Sequence, residues 1–104
     1  MKPYEPEPPR DEVEASRGLT IVEFGTNWCG YCQAAQPVID AGLAGHEITH
    51  IKVEDGKGRP LSRAYGVKLW PTLVFLRDGK EVTRVVRPRV AQEVREALDA
   101  VTGQ

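Results

Sequence analysis

Two cysteines are all the chain has, and they stand three residues apart in Trp28-Cys29-Gly30-Tyr31-Cys32. On a helix that spacing is close to one turn, so the two sulfurs can meet. Such a pair can close to a disulfide and reopen by thiol exchange, in which a thiolate attacks. The first turn of a helix offers unpaired backbone N–H groups and the positive end of the dipole, and both favour an anionic sulfur. Cys29, at the very start, has the better access and is the candidate nucleophile. Cys32, one turn in, is placed to resolve a mixed disulfide. Gly30 lets the backbone turn tightly beside the sulfur. An inert structural disulfide is the plain alternative. The context argues against it, because the pair follows a strand pattern and opens a helical one.

The elements that must hold the pair are legible on either side. Leu19, Ile21, Val22 and Phe24 form a short apolar run between Gly18 and Gly25, which predicts a buried strand over 19–24. Ala34, Ala35, Val38, Ile39 and Leu43 recur at helical spacing, so a helix runs from about 29 to 44 with those residues in the core. Pro37 removes one N–H and should bend that helix, and Gly42 and Gly45 weaken and end it. Glu23 interrupts the apolar strand. If it is buried, its pKa should rise; the alternative is a carboxylate facing solvent at a strand end. Residues 48–53 read as the next strand and complete a right-handed βαβ unit. Pro60 to Tyr65 can form a short helix with Pro60 at its first position. A strand over 72–77, the turn at Asp78-Gly79 and a strand over 80–86 make a hairpin. Val90, Val94, Ala97, Leu98 and Val101 mark an amphipathic closing helix. The expected sheet has four strands in the order 48–53, 19–24, 72–77, 80–86, with helices on both faces.

With 104 residues the chain is one domain by the usual prior. An apolar fraction of 40% and a charged fraction of 28% suit a soluble globular protein. A net charge of −1 gives no reason to expect nucleic acid or an anionic membrane surface as partner. No window approaches a membrane span. The first ten residues lack the apolar core of a signal peptide, so a cytoplasmic location is expected. That compartment is reducing, and there a vicinal cysteine pair is more often catalytic or metal-binding than structural. Residues 1–10 carry four of the prolines and no periodicity, which reads as a flexible, extended tail ahead of a domain over 11–104. Asp11 to Arg17 can form a short helix. His46 and His50 read as surface residues.

Taken together, these features resemble the thioredoxin family. Trp28-Cys29-Gly30-Tyr31-Cys32 is similar to the family's Trp-Cys-Gly-Pro-Cys. Pro37 matches its helix-kinking proline, and Trp70-Pro71-Thr72 resembles its cis-proline segment. The likeness spans about residues 19 to 102 and keeps the family's order and spacing. It implies a thioredoxin-like α/β fold whose first edge strand is missing or irregular here. It implies a protein-disulfide reductase that works through Cys29 and Cys32 with no bound cofactor and no metal. Glu23 falls where the family has a buried acid beneath the second cysteine, one methylene longer than the usual Asp, and would take a proton from Cys32. Lys52 matches a family lysine near that acid and is a candidate for the proton relay; a strand-end charge is the alternative. Trp28, Gly30, Tyr31, Trp70 and Pro71 would form the substrate-binding face. The resemblance also implies a cis bond before Pro71, leaving the Trp70 backbone free to pair with an extended substrate. Substrates would be disulfide-containing proteins. Electrons would come from NADPH through thioredoxin reductase, or from glutathione, and a monomer is expected.

Two departures from the family pattern stand out. Tyr31 replaces the proline between the cysteines and can supply an N–H to the Cys29 thiolate, which would make a weaker reductant. Arg87-Pro88 falls where the family commonly has a groove-lining glycine; Arg87 either narrows the groove, favours acidic substrates or is a solvated charge. Three other readings compete. Cys29-x2-Cys32-x13-His46-x3-His50 has the spacing of a zinc finger, but its cysteines would need a hairpin and its histidines a helix. A thioredoxin-like binding or chaperone module without redox turnover would be indifferent to loss of Cys29. A disulfide oxidase or isomerase is disfavoured by the absence of an export signal.

Overall fold

The computed structural model describes residues 2–103. Its elements run α1 (Arg10–Glu14), β1 (Leu19–Gly25), α2 (Gly30–Leu43), β2 (Thr49–Glu54), α3 (Pro60–Ala64), β3 (Thr72–Arg77), β4 (Lys80–Val86) and α4 (Ala91–Thr102). The sheet order is β2-β1-β3-β4, with β1 parallel to β2 and antiparallel to β3, and β3 antiparallel to β4. This is the mixed four-stranded sheet that the sequence predicts. The helix expected over Asp11–Arg17 is shorter and earlier, and it is anchored by Val13 alone.

Alternation along β1 decides what each face receives. Ile21 packs with Leu73 and Phe75 against Ile39 of α2 and Leu98 of α4. Val22 and Phe24 point the other way, toward Val13, Leu61 and Leu76. Glu23 shares the parity of Ile21, so its carboxylate enters the interior beneath α2. Of the α2 residues expected in the core, Ala35 and Ile39 are buried, Val38 is half-buried and Ala34 is exposed. Gly42 has a packing reason: a Cβ there would lie 2.5 Å from Val94 Cβ, so α2 and α4 meet this closely only without a side chain.

The proline-rich N-terminal segment is extended, but it does not stand free. Glu5 N–H donates to the Lys52 carbonyl at 3.0 Å and Glu54 N–H donates to the Glu5 carbonyl at 2.7 Å. These bonds make one isolated parallel bridge between Glu5 and Val53 on the outer edge of β2. Proline removes donors on either side, so the ladder cannot grow beyond that bridge into an edge strand. Asn27 clamps the segment a second time. Its Oδ1 accepts from Tyr4 N–H at 2.8 Å and its Nδ2 donates to the Tyr4 carbonyl at 3.2 Å. The outcome is a Tyr4 side chain only 6% exposed, packed with Cys29 and Cys32.

Candidate active site

β1 ends at Gly25, a short turn follows, and α2 begins at Gly30 with Cys29 as its N-cap. Cys29 Sγ accepts a hydrogen bond from Cys32 N–H at 3.2 Å, taking the place that a Ser or Asp oxygen usually fills at this position. The donor is thus the Cys32 N–H, one residue beyond the Tyr31 N–H expected from the sequence. Both cysteines are buried, unpaired thiols. Burial, joined by the hydrogen bond to Cys29, pushes the Cys32 thiol up to about 12. Hydrogen bonding from the Thr26 backbone and from Tyr4 acts in the opposite direction. Cys32 is therefore held as a thiol at neutral pH. Gly25 makes this packing possible: a Cβ there would sit 2.7 Å from Cys32 Sγ and 2.6 Å from Tyr4 Cζ.

Beneath Cys32 lies a polar network in an otherwise apolar interior. Glu23 is fully buried, at 0% exposure. Its Oε1 is 2.8 Å from His50 Nε2, and its Oε2 accepts from Gln36 Nε2 at 2.9 Å and from the Tyr4 hydroxyl. Burial works to raise the carboxyl, as expected, but the bonds from His50, Tyr4 and Gln36 outweigh it and hold the group below its ordinary value. The expected upward shift is thus corrected by partners that have no local signature. His50, read as a surface residue, is half-buried against Glu23, whereas His46 is exposed. Lys52 does not reach Glu23 directly. Its Nζ donates to Gln36 Oε1 at 2.7 Å, which turns the Gln36 amide nitrogen toward Glu23 and Tyr4.

Above the cysteines is an aromatic face. Trp28 is 74% exposed and Tyr31 63% exposed. The Trp28 and Trp70 rings meet edge to face with centroids 5.7 Å apart, and Trp70 Nε1 donates to Asp55 Oδ2 at 2.8 Å. The Trp70–Pro71 peptide is cis. The Trp70 carbonyl is not free, as the sequence reading had it: Arg87 Nε donates to it at 2.7 Å. The same guanidinium lies over the Tyr31 ring, with Cζ 3.8 Å from the centroid. Arg87 also has φ 50, a left-handed backbone that suits glycine better.

This geometry can be set against known proteins. The Thioredoxin family model matches residues 4–100. The chain belongs to the thioredoxin family. The structure of thioredoxin 2 from Pseudomonas aeruginosa in its reduced form is 53% identical, with a TM-score of 0.87 over 98% of this chain and 96% of that one. Thioredoxin from Chlamydia trachomatis is 42% identical over 73 residues, covering 66% of this chain and 69% of its own length. Thioredoxin H-type 1 from Nicotiana tabacum is 35% identical over 72 residues, and the match spans 68% of this chain but 57% of that protein. A thioredoxin-family chain with this cysteine pair is a thiol–disulfide oxidoreductase of the disulfide-reductase type, and that chemistry requires no bound cofactor.

The structure brings Cys29, Cys32 and Glu23 to one end of β1, with Trp28, Tyr31, Trp70 and Pro71 around them. Among the described residues no three of His, Cys, Asp and Glu converge as a metal site, and His46 and His50 do not approach the cysteines as a finger would require. No helix among the described residues is long and apolar enough to cross a membrane. Sequence reasoning passed over Tyr4, Gln36 and Asp55, and it weighed His50 only as a surface residue or a zinc ligand. For Gln36 a signal existed: a polar residue one turn after Cys32 on a helix face that is otherwise buried.

Proposed function

We propose that this chain reduces disulfides in protein substrates by dithiol exchange, with Cys29 as the attacking and Cys32 as the resolving residue. The observation that carries the assignment is the N-cap geometry, in which Cys29 Sγ accepts from Cys32 N–H at 3.2 Å. A thiolate at Cys29 meets a donor already aimed at it, in the positive field of the helix start. It attacks a substrate disulfide, forms a mixed disulfide and releases the first substrate thiolate. Cys32 then gives up its proton and attacks Cys29 Sγ, which closes the Cys29–Cys32 disulfide and releases the second thiolate. Glu23 is the proton acceptor for that second step. Its hydrogen bonds keep it ionised while Cys32 is a thiol, so the two groups begin the step in the required states.

Trp28, Gly30, Tyr31, Trp70 and Pro71 form the face on which an extended segment of the substrate docks. Lys52 orients Gln36 and through it the acid. Reduction of the resulting disulfide by a thioredoxin reductase drawing on NADPH is the proposed recycling route, with glutathione as the other donor, and the cytoplasm is the proposed location. The decisive experiment compares Cys29→Ser and Cys32→Ser on a protein disulfide. Cys29→Ser is expected to lose reduction entirely, whereas Cys32→Ser should accumulate a covalent adduct at Cys29, visible by mass spectrometry. Turnover by Cys29→Ser at the wild-type rate would rule out the assignment and favour a binding module.

A further inference from the structure

We propose that the Tyr4 hydroxyl is the proton carrier between Cys32 and Glu23, so that the proline-rich N-terminal segment supplies a catalytic residue. The inference rests on the roles given above to Cys29, Cys32 and Glu23. Three observations lead to it. First, the Tyr4 hydroxyl donates to Glu23 Oε2, and the carboxylate side of a relay is thereby made. Second, Tyr4 Cζ and Cys32 Sγ both lie within 2.7 Å of one point, the place that a Cβ on Gly25 would occupy. The phenol ring thus packs beside the resolving sulfur while its hydroxyl reaches the acid. Third, the hydroxyl has capacity left. A hydroxyl has one hydrogen and two lone pairs. The hydrogen goes to Glu23 and one lone pair takes Gln36 Nε2 at 3.2 Å, which leaves the other for the Cys32 S–H.

Tyr4 is also held where a relay needs it. Asn27 clamps its backbone from the active-site turn, and Lys52 Nζ lies over its ring, 4.5 Å from the centroid. Burial and the neighbouring Glu23 raise the phenol far above its ordinary value, so it acts as a neutral hydroxyl and not as tyrosinate. In the resolving step the Cys32 S–H proton moves to Tyr4 Oη as the Tyr4 O–H proton moves to Glu23 Oε2. The freed electron pair on Cys32 attacks Cys29 Sγ. The Cys29–Cys32 bond forms, the bond from Cys29 to the substrate sulfur breaks, and the substrate leaves as a thiolate. Both cysteines are oxidised, the substrate disulfide is reduced, Glu23 ends as the acid and Tyr4 is neutral throughout.

The test reacts reduced protein with an aromatic disulfide whose released thiolate is coloured. The first equivalent appears when Cys29 attacks, the second when Cys32 resolves. Tyr4→Phe keeps the ring and removes only the hydroxyl. It is expected to leave the first phase at the wild-type rate and to slow the second at least tenfold. In Tyr4→Phe combined with Glu23→Gln, the second phase should be no slower than in Glu23→Gln alone, because one path is cut twice. Wild-type protein in mixed light and heavy water should give a bowed dependence of the second phase on deuterium content, since two protons move. An unchanged second phase in Tyr4→Phe, multiplying losses in the double variant, or a straight isotope plot would each overturn the relay. Loss of both phases in Cys29→Ser is the outcome belonging to the underlying assignment; survival of the first phase there would overturn that assignment instead.

Discussion

Glu23 is where charge, burial and hydrogen bonding compete most openly. A lone ionised carboxylate in an apolar interior would neutralise itself. Here His50, Tyr4 and Gln36 together win over burial, and the carboxyl is held down. A carboxyl held below its unfolded value, about 4.3 for Glu, contributes stability that is complete above that value and is lost as the pH falls through the folded one. Glu23→Gln should therefore cost about 1.5–3 kcal/mol at pH 7, the range for hydrogen bonds to a charged group. The cost should shrink in acid, below both values. Denaturant titrations of both proteins on either side of the transition would show it, and a penalty that does not change with pH would mean that the buried acid is already neutral. Of this residue the sequence told half. The apolar run around it left burial and a solvent-facing strand end both open, and the resemblance to the family favoured burial. Its partners come from positions 4, 36 and 50, and no local pattern connects them.

At the scale of elements, β1, the turn and α2 were readable because each has a strong periodic or capping signal. The same holds for the hairpin, whose Asp78-Gly79 turn is separated by Arg77 alone from the apolar run 73–76. The loop after β4 was less so. It departs from the family pattern at Arg87, and the structure shows what the departure does. Arg87 spans the gap between the Trp70 carbonyl and the Tyr31 ring, in a left-handed backbone conformation. Such a conformation costs on the order of 1 kcal/mol or more for a non-glycine residue. The hydrogen bond and the cation–π contact return a similar amount. Arg87→Gly should leave stability nearly level while freeing the Trp70 carbonyl for a substrate backbone. The expected outcome is a several-fold lower KM for a protein disulfide with kcat little changed. A KM that stays the same would show that substrate docking does not use that carbonyl.

For the molecule as a whole, the order of four strands and the two-sided core follow from short, strongly patterned segments. What the sequence could not convey is the docking of residues 2–9. Proline excludes a regular ladder there, and composition alone says no more than that. The clamp by Asn27, the single bridge to β2 and the space left by Gly25 are tertiary facts, and together they bury Tyr4 under the cysteines. The whole fold thereby converges on one claim, that Cys29 and Cys32 form a reversible disulfide in a protein built to reduce others. The equilibrium reduction potential of that pair, measured in a thiol redox buffer, tests it most directly. A disulfide that forms cleanly with a potential near about −270 mV, the thioredoxin range, is expected, because Cys29 Sγ takes its hydrogen bond from Cys32 N–H and not from the Tyr31 N–H that would have weakened the reductant. A pair that never closes, or one more oxidising than about −200 mV, would contradict it.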